Sequence, residues 1–309
     1  MEWYWILLLV FLGFIILFLI IIFSITCYLS NYSFKRNFSK RYDSEPYPLI
    51  DEEFYLNNKN KEKLTIKSYD NLNLVGYLYK NNSSHNYVIF VHGYRGHYYE
   101  QSYIASYLYK KGYNVLLVSN RGHDESEGKY IGVGALDKFD VFNWVNKIVE
   151  LDNNSKIALF GWSMGGASVL MCSGLKNLVS NVKVVVSDCA FTSFYDEVKH
   201  LALTQVFKNH KILANLTSYM IYLYTKIFYK IDIKESSTLE LLKNSKLPTL
   251  LIHGNVDNFV PKQFTYQNYD VLQGKKELKI FNAIKHCRSL SDFPNEYVNL
   301  VYNFINENI

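Results

Sequence analysis

The chain has 309 residues and a formal net charge of +5, and 49% of its residues are hydrophobic while 20% are charged. This composition excludes a largely disordered chain, because such chains have too few apolar residues to bury a core. The Lys and Arg residues are scattered, with neither a dense basic stripe nor an RNA-type aromatic motif, so we expect no nucleic-acid partner.

Four cysteines stand at positions 27, 172, 189 and 287 without a paired spacing such as C-x-x-C. The sequence therefore predicts reduced thiols, with neither a zinc site nor a disulfide framework. Cys287 follows His286 directly, and we interpret it as a small buried residue and not as a catalytic thiol.

The first predicted element is a membrane-spanning helix over residues 3–29, which contain no charged side chain. At about 1.5 Å per residue this helix exceeds the roughly 30 Å hydrocarbon core of a bilayer and can span it with tilt. A cleaved signal peptide is the alternative, but the preceding flank holds Glu2 and no basic residue, and no A-x-A site follows. We therefore expect an uncleaved single-pass anchor in the cell membrane.

The charges around this segment indicate an orientation. Lys35, Arg36, Lys40 and Arg41 follow it, and no basic residue precedes it. The positive-inside rule then favours the cytoplasmic side for the rest of the chain. An N-terminal anchor that acts as an export signal is the competing interpretation. We interpret residues 30–59 as a juxtamembrane linker and residues 60–309 as one domain.

The domain begins with alternating apolar and polar residues at 63–69 and 72–80 around Asp70-Asn71, which predicts an antiparallel hairpin. Apolar runs typical of strands covered on both faces follow at 87–92, 114–119, 156–161, 182–188, 248–253 and 278–282. Helical spacing alternates with them at 100–111, 135–150, 164–175, 261–272 and 295–309. The alternation predicts an α/β fold with a doubly wound, mostly parallel sheet.

Residues 191–244 interrupt this alternation, because they form a long insertion between two predicted strands. They include a dense aromatic and aliphatic run at 219–224. We interpret the insertion as a helical cap, whose aromatic residues either contact a substrate or only seat the cap on the sheet.

The candidate nucleophile is Ser163, in a Gly161-Trp162-Ser163-Met164-Gly165 run that fits G-x-S-x-G. A predicted strand precedes it and a predicted helix of small residues follows. A sharp turn between such elements lifts a serine hydroxyl out of the sheet edge, and it needs glycines because the backbone passes close by. The helix N-terminus also stabilises negative charge there.

A serine hydroxyl needs a base, and that base needs an orienting acid. His286 fits the first role, because it lies in a short loop between the last predicted strand and the final helix; His123 is the weaker candidate. Asp257 fits the second, in the loop between the strand ending at His253 and a helix that opens at Pro261. Asp188, at the end of the preceding strand, is the alternative acid.

Two N–H donors are needed for the oxyanion of acyl transfer. The Met164 amide is one candidate. The Tyr94 amide is the other, in the turn His92-Gly93-Tyr94-Arg95-Gly96 after a predicted strand. Loss of one such donor raises the barrier by about 3 kcal/mol. An ordinary tight turn is the alternative interpretation of this glycine-rich run.

Together these residues resemble the α/β-hydrolase superfamily, in particular bacterial membrane-anchored serine hydrolases of the serine aminopeptidase and acyl esterase type. The resemblance covers about residues 60–309. It rests on the runs already quoted, on the Arg121-Gly122-His123-Asp124-Glu125-Ser126-Glu127-Gly128 run, on the His253-Gly254-Asn255-Val256-Asp257 run and on Lys285-His286. It implies catalytic roles for Ser163, Asp257 and His286, and oxyanion roles for the Tyr94 and Met164 amides. Cys287 and Asn120 depart from the usual pattern, which weakens any transfer of a relative's substrate.

The sequence thus predicts a serine hydrolase that needs no metal or organic cofactor and cleaves an acyl ester through an acyl-enzyme. An apolar cap beside a membrane anchor favours a lipophilic ester. An amide-cleaving peptidase or aminopeptidase, and a noncatalytic binding protein that keeps the fold, are the alternatives. A haloalkane or epoxide hydrolase would need aspartate in place of Ser163.

Overall fold

The computed structural model describes residues 3–36, 49–81, 84–283 and 285–309. Part of the predicted juxtamembrane linker, residues 37–48 with Lys40 and Arg41, lies outside the described residues.

An eight-stranded sheet lies at the centre of the molecule in the order β1-β2-β4-β3-β5-β6-β7-β8. β1 pairs antiparallel with β2, and β2 pairs antiparallel with β4, whereas β3 to β8 are parallel. The strands are Lys61–Lys67, Asn73–Tyr79, Asn86–Val91, Asn114–Val118, Lys156–Trp162, Val182–Asp188, Thr249–Gly254 and Lys276–Phe281. The predicted parallel sheet with an N-terminal antiparallel hairpin is confirmed.

Helices cover both faces of the sheet. Their bounds, α1 to α11 in chain order, are Trp3–Phe34, Glu52–Asn57, Ser102–Lys110, Asp137–Leu151, Met164–Ser173, Phe194–Leu201, Lys211–Tyr224, Thr238–Leu241, Lys262–Val271, Ser289–Asp292 and Pro294–Asn308. Neighbouring residues of a strand point to opposite faces. Leu159 of β5 therefore packs in one buried cluster with Trp144 of α4, while Phe160 packs in the other with Val301 of α11.

The predicted cap insertion is helical. Between β6 and β7 the chain forms α6, α7 and α8, with single π-helical turns at Ala202–Val206 and Thr225–Tyr229. Ser193 caps the N-terminus of α6 by accepting a hydrogen bond from the Asp196 amide at 3.1 Å.

The predicted membrane helix is α1, which continues past Leu29 to Phe34. Among the described residues it is the one helix long and apolar enough to cross a bilayer, a property that a signal sequence shares. All of residues 3–21 are exposed, whereas Ile22, Thr26, Ser30 and Phe34 are buried. The C-terminal part of α1 packs along α7 of the cap.

A buried ion pair joins the loop after β4 to α4. Arg121 donates two hydrogen bonds to Asp140, at 2.6 and 2.7 Å, and its side chain is 2% exposed. The same guanidinium donates to Asp70 in the hairpin turn at 3.0 and 3.1 Å. One side chain thus fixes three segments relative to each other.

We expect Arg121→Ala to destabilise the fold by about 3–5 kcal/mol, because it leaves the buried Asp140 carboxylate without its cation. Thermal unfolding of the detergent-solubilised chain measures this effect. Lys147→Ala, which removes an exposed pair with Glu150, is the matched control and is expected to change stability by less than about 1 kcal/mol. Equal effects of the two substitutions would contradict the structural role of Arg121.

Candidate active site

Ser163 lies in the turn between β5 and α5, at the C-terminal edge of the sheet. Its backbone is in an unusual conformation, with φ 52° and ψ −116°, and its amide donates to the Asp188 carbonyl at 2.8 Å. A positive φ in a residue other than glycine is strained and is found mainly at functional sites. This conformation is the one that the sequence pattern predicts for a nucleophile at a strand-to-helix turn.

The glycines of this turn are required by close backbone contacts. A Cβ at Gly161 would lie 2.3 Å from the Gly165 carbonyl oxygen, and one at Gly165 would lie 2.0 Å from the Val91 carbonyl oxygen. Both oxygens belong to the backbone, of a helix and of a strand, so neither can move aside as the end of a flexible side chain could. Glycine at both positions therefore allows α5 to start tightly against β3 and β5.

A chain of hydrogen bonds connects Ser163, His286 and Asp257. The Ser163 Oγ lies 2.9 Å from His286 Nε2, and His286 Nδ1 lies 2.6 Å from Asp257 Oδ2. His286 follows β8, and Asp257 follows β7, so neighbouring parallel strands deliver both side chains to the same edge of the sheet. The structure thus brings together the three residues that the sequence analysis selected from different parts of the chain.

The Asp257 carboxylate is held in one orientation. Its Oδ1 accepts hydrogen bonds from the Phe259 and Val260 amides at 2.9 and 3.0 Å, so Oδ2 is left facing His286. Burial by itself raises the pKa of this carboxyl, but the neighbouring His286 and His253 outweigh burial and hold the pKa well below its usual range. Asp257 is therefore ionised at neutral pH.

His253 supports Asp257, a role that the sequence analysis missed. Its Nε2 lies 2.9 Å from the Val260 carbonyl oxygen and 3.3 Å from Asp257 Oδ2, and both are acceptors. Its Nδ1 lies 2.6 Å from the Thr265 hydroxyl. The proton on this fully buried ring is therefore assigned to Nε2. The signal was present in the sequence, because His253 ends the predicted strand only four residues before Asp257.

Burial lowers the pKa of His286, whereas the Asp257 carboxylate beside it raises the pKa above its ordinary value. Burial also raises the pKa of the Cys189 thiol, so this thiol is uncharged at neutral pH. The Asp257 carboxylate is thus the group that stabilises a proton on His286.

The glycine-rich loop after β3 lies beside Ser163. A Cβ at Gly93 would lie 3.5 Å from the Ser163 Cβ. In the described part of the chain the Tyr94 amide donates no hydrogen bond, and the Met164 amide, at the first position of α5, has no acceptor within that helix. Both predicted oxyanion donors thus lie in segments adjoining Ser163, and their role stays a prediction.

Two histidines fix this loop in place. His92 Nδ1 donates to the Gly93 carbonyl at 2.8 Å, and its Nε2 accepts from the Asn120 amide at 3.1 Å. His123 Nε2 accepts from the Arg95 amide at 3.1 Å. Asn120 also donates through its side chain to the His92 carbonyl at 2.9 Å. Asn120, a departure from the usual pattern of relatives, is thus part of the scaffold of the loop.

The alternative acid and base have other partners. Asp188 accepts a hydrogen bond from the Tyr297 hydroxyl at 2.9 Å, which in turn accepts from the Trp162 indole at 3.1 Å. Burial raises the pKa of Asp188 to about 6. The His123 ring accepts a hydrogen bond from the Arg95 amide in the loop after β3. Among the described contacts, neither the Asp188 carboxylate nor the His123 ring has a hydrogen bond to the Ser163 hydroxyl or to the His286 ring.

Two cysteines meet beside His286, although they are 98 residues apart in the sequence. The Sγ atoms of Cys189 and Cys287 lie 3.2 Å apart, and with His286 they form a group whose donor atoms lie within 4.8 Å of one another. Cys287 is only half-buried, whereas the sequence predicted a buried residue. Because both His286 nitrogens are engaged by Asp257 and Ser163, the ring cannot bind a metal ion without breaking that chain of hydrogen bonds.

Glu197 of α6 is a buried acid that the sequence analysis did not identify. It is 2% exposed, and neither carboxylate oxygen has a hydrogen-bond partner among the residues that the structure describes. Burial raises its pKa to about 8, and of the smaller charge effects His286 lowers this pKa whereas Asp257 raises it. Phe194, one helical turn earlier, packs against Tyr94 with 6.4 Å between ring centroids. Because residues three apart share a helix face, α6 directs Glu197 towards the Ser163 region.

The comparisons with known proteins point to one kind of fold. Residues 82–220 match the family model described as serine aminopeptidase, S33, a range that includes Ser163 but neither Asp257 nor His286. The chain is 26% identical over 203 residues to the uncharacterized protein YqkD of Bacillus subtilis. This match covers 63% of the chain and only 62% of YqkD. The uncharacterized protein YfhR of Escherichia coli K12 is 26% identical over 207 residues, covering 66% of the chain and 64% of YfhR.

Solved structures match over most of the chain. The esterase Pf2001 of Pyrococcus furiosus is 25% identical, with a TM-score of 0.65, and the match covers 85% of this chain and 96% of the esterase. The acylaminoacyl peptidase of Pyrococcus horikoshii is 22% identical, with a TM-score of 0.61, covering 86% of this chain and 44% of the peptidase. The second match shows a shared fold alone.

Proposed function

We propose, from the premise that this chain belongs to the α/β-hydrolase superfamily, that it is a membrane-anchored serine hydrolase of acyl esters. One observation carries the proposal: the hydrogen-bond chain from Ser163 through His286 to Asp257. No metal or organic cofactor takes part in the proposed reaction.

In the proposed mechanism, His286 Nε2 accepts the Ser163 proton while Oγ attacks the ester carbonyl carbon. The tetrahedral oxyanion then receives hydrogen bonds from the Tyr94 and Met164 amides. The protonated His286 is stabilised by Asp257 and returns its proton to the departing alcohol, which leaves an acyl group on Ser163. Water repeats these steps and releases the acid. The His253 contact keeps Asp257 aimed at His286 throughout.

We place the chain in the cell membrane as a single-pass protein with the domain on the cytoplasmic side. Support comes from the apolar helix α1 and the basic residues after it. Arg36 already donates to the carbonyls of Ser126 and Asp124, at 2.8 and 2.6 Å. Arg36 is one of the charges from which the orientation was inferred, and here it binds the domain itself. Protease accessibility of the domain in intact cells therefore tests the orientation directly.

The test of the reaction class is hydrolysis of p-nitrophenyl esters of increasing acyl length, together with labelling by a fluorophosphonate probe. A serine hydrolase is expected to hydrolyse at least one ester and to take up the probe at Ser163. A folded chain that neither labels nor turns over any ester would instead support the noncatalytic binding protein.

A second candidate is an aminopeptidase-type amide hydrolase, and Glu197 is the observation that favours it. A buried carboxyl without a hydrogen-bond partner is costly to retain unless it binds something. The α-ammonium group of an aminoacyl substrate would provide the missing partner and would stabilise the ionised form of Glu197.

We expect Glu197→Gln to separate these candidates. If the carboxylate binds an ammonium group, kcat/KM for an aminoacyl p-nitroanilide falls about 10-fold to 100-fold, because a hydrogen bond to a charged group contributes roughly 1.5–3 kcal/mol. Hydrolysis of a neutral ester changes little. Glu240→Gln, on α8, where Glu240 pairs with Lys243 at the surface, is the control. An equal loss of kcat/KM with both substrates would show that Glu197 does not select between them.

A further inference from the structure

The C-terminal end of α1 lies on the loop beside Ser163. The Ser33 carbonyl accepts a hydrogen bond from the Tyr94 hydroxyl at 2.8 Å, and the Tyr32 carbonyl accepts one from Arg95. Phe34 is fully buried and packs edge-on against Phe194, with 5.3 Å between ring centroids. The membrane helix is therefore joined directly to the proposed oxyanion loop, and the active centre is held at the end of that helix.

The contact between α1 and α7 has the character of a pair of helices inside a membrane. The buried stripe of α1 contains Thr26 and Ser30, and the buried face of α7 contains Ala214 and Ser218. Small residues four positions apart allow two helix backbones to approach closely, as they do in transmembrane pairs.

The two helices run in the same direction. Asn31 of α1 contacts the hydroxyls of Tyr224 and Tyr229, at the C-terminal end of α7 and in the turn after it. The buried stripe of α1 continues back from there to Ile22, about 13 Å away at roughly 1.5 Å per residue. Since α7 is the element that α1 packs against, α7 extends from Tyr224 back towards Ile22, and its N-terminal end lies nearest the exposed part of α1.

Aromatic residues indicate where the bilayer lies along α1. Trp3, Tyr4 and Trp5 form a cluster at one end, and the exposed Tyr28 and Tyr32 stack on each other near the other end. Such aromatic belts mark the two membrane interfaces. From Trp5 to Tyr28 the helix rises about 35 Å, close to the roughly 30 Å hydrocarbon core. Ile22 therefore lies within the apolar layer, and α7 reaches that depth beside it.

The outer surface of the cap is apolar and basic. Its exposed large apolar residues are Val206, Ile212, Tyr219, Leu223, Ile227 and Phe228, and Ile212 is 83% exposed. Residues 202–230 contain four lysines and no acidic residue. Of the lysines, Lys226 pairs with Asp232. Exposed apolar side chains together with lysines and no acidic residue are typical of segments that associate with a membrane surface.

We propose that the outer face of α7 and the turn after it lie in the same bilayer that α1 crosses, so that Ser163 acts on acyl lipids resident in that bilayer. The occupant of the exposed apolar face is thus the lipid bilayer, because the face continues directly from the membrane helix. This inference rests on the proposed function of Ser163 as the nucleophile and specifies its substrate class.

The kinetic test uses the full-length chain in vesicles of phosphatidylcholine and phosphatidylglycerol that carry monooleoylglycerol or dioleoylglycerol. Oleate release measures turnover of bilayer lipids, and p-nitrophenyl acetate in the same vesicles measures the chemistry. We expect Ile212→Gln combined with Ile227→Gln to lower oleate release at least 10-fold and to change acetate release less than twofold. Leu56→Gln combined with Leu151→Gln, at exposed positions on α2 and α4, is expected to change neither.

A second measurement reports directly whether the turn after α7 lies in the bilayer. Phe228→Trp is made together with Trp3→Phe and Trp5→Phe, which leaves Trp144 and Trp162, both buried in the domain. We expect brominated lipids to quench the added indole by at least half, and the same chain with native Phe228 to show little quenching.

The outcomes separate the two proposals. Acetate release that depends on Ser163 with no oleate release, or oleate release that the cap substitutions leave unchanged, would overturn the membrane inference and leave the hydrolase intact. An added indole that brominated lipids leave unquenched in the Phe228→Trp chain would do the same. If the solubilised chain is a dimer that the cap substitutions dissociate, the face binds a second copy and the inference is wrong. Acetate release that survives Ser163→Ala would instead contradict the proposed function.

Discussion

Ser163→Ala is expected to lower turnover of a short p-nitrophenyl ester by on the order of 10⁶-fold and to abolish labelling by a fluorophosphonate. The loss corresponds to about 8 kcal/mol of transition-state stabilisation. Its physical origin is that His286 Nε2, at 2.9 Å, then has no hydroxyl to deprotonate. Some residual catalysis is expected, because the amide donors remain in place.

His286→Ala is expected to cause a loss of the same order, because the serine and the base act as one unit. The matched control is Ser168→Ala, one helical turn further along α5. Ser168 is also buried, and its hydroxyl donates only to the Met164 carbonyl, at 2.7 Å. This variant is expected to label and to turn over ester like the original chain. Labelling that persists in Ser163→Ala would show that another residue is the nucleophile.

Asp257→Asn is expected to lower kcat by about 10⁴-fold, a loss typical of replacing the acid of such a triad. The Phe259 and Val260 amides both donate to Oδ1, so the asparagine oxygen takes that position and the new NH₂ group faces His286. Nδ1 must then accept a hydrogen bond, which places the ring proton on Nε2. In this tautomer Nε2 cannot accept the proton of Ser163.

The pH profile adds a readout that a general loss of structure would not produce. Activity requires an unprotonated His286, so it decreases as pH falls through the pKa of that residue. Because Asp257 helps to raise the pKa of His286, its removal is expected to move the acidic limb of kcat/KM to lower pH. Asp188→Asn is the control. A loss of about 10⁴-fold in Asp188→Asn, with Asp257→Asn nearly unaffected, would reverse the assignment of the acid.

The fold was predictable from the sequence to within a few residues at most boundaries. The strands from β3 onwards are continuous apolar runs because helices cover them on both faces, and each predicted run corresponds to an observed strand. The turn around Asp70 and Asn71 was also predictable from neighbouring residues alone, and Asn71 has a φ of 67° there. Periodicity and turn chemistry act over a few residues, so a single sequence contains them.

In the candidate site, too, the features formed by a short stretch of sequence were predictable, and those formed by distant segments were not. The turn around Ser163 needs only one strand, two glycines and one helix, all within a short stretch. Asp257 and Asp188, in contrast, both follow strands at the same sheet edge, so the sequence favoured Asp257 by its position and left Asp188 as the alternative. The structure distinguishes them through Tyr297, from the final helix, which bonds Asp188, while His286 bonds Asp257. The catalytic roles themselves stay predictions.

By itself, the sequence determined the apolar N-terminal helix, the order of strands and helices, and the serine turn, because each depends on neighbouring residues. Only the tertiary structure decided which side chains meet across long separations. It brought Cys189 to Cys287, placed the buried Glu197 near His286, and brought the Ser33 carbonyl of α1 to the Tyr94 hydroxyl. These contacts depend on how the cap and α1 pack over the sheet, and packing depends on the shapes of surfaces contributed by distant segments.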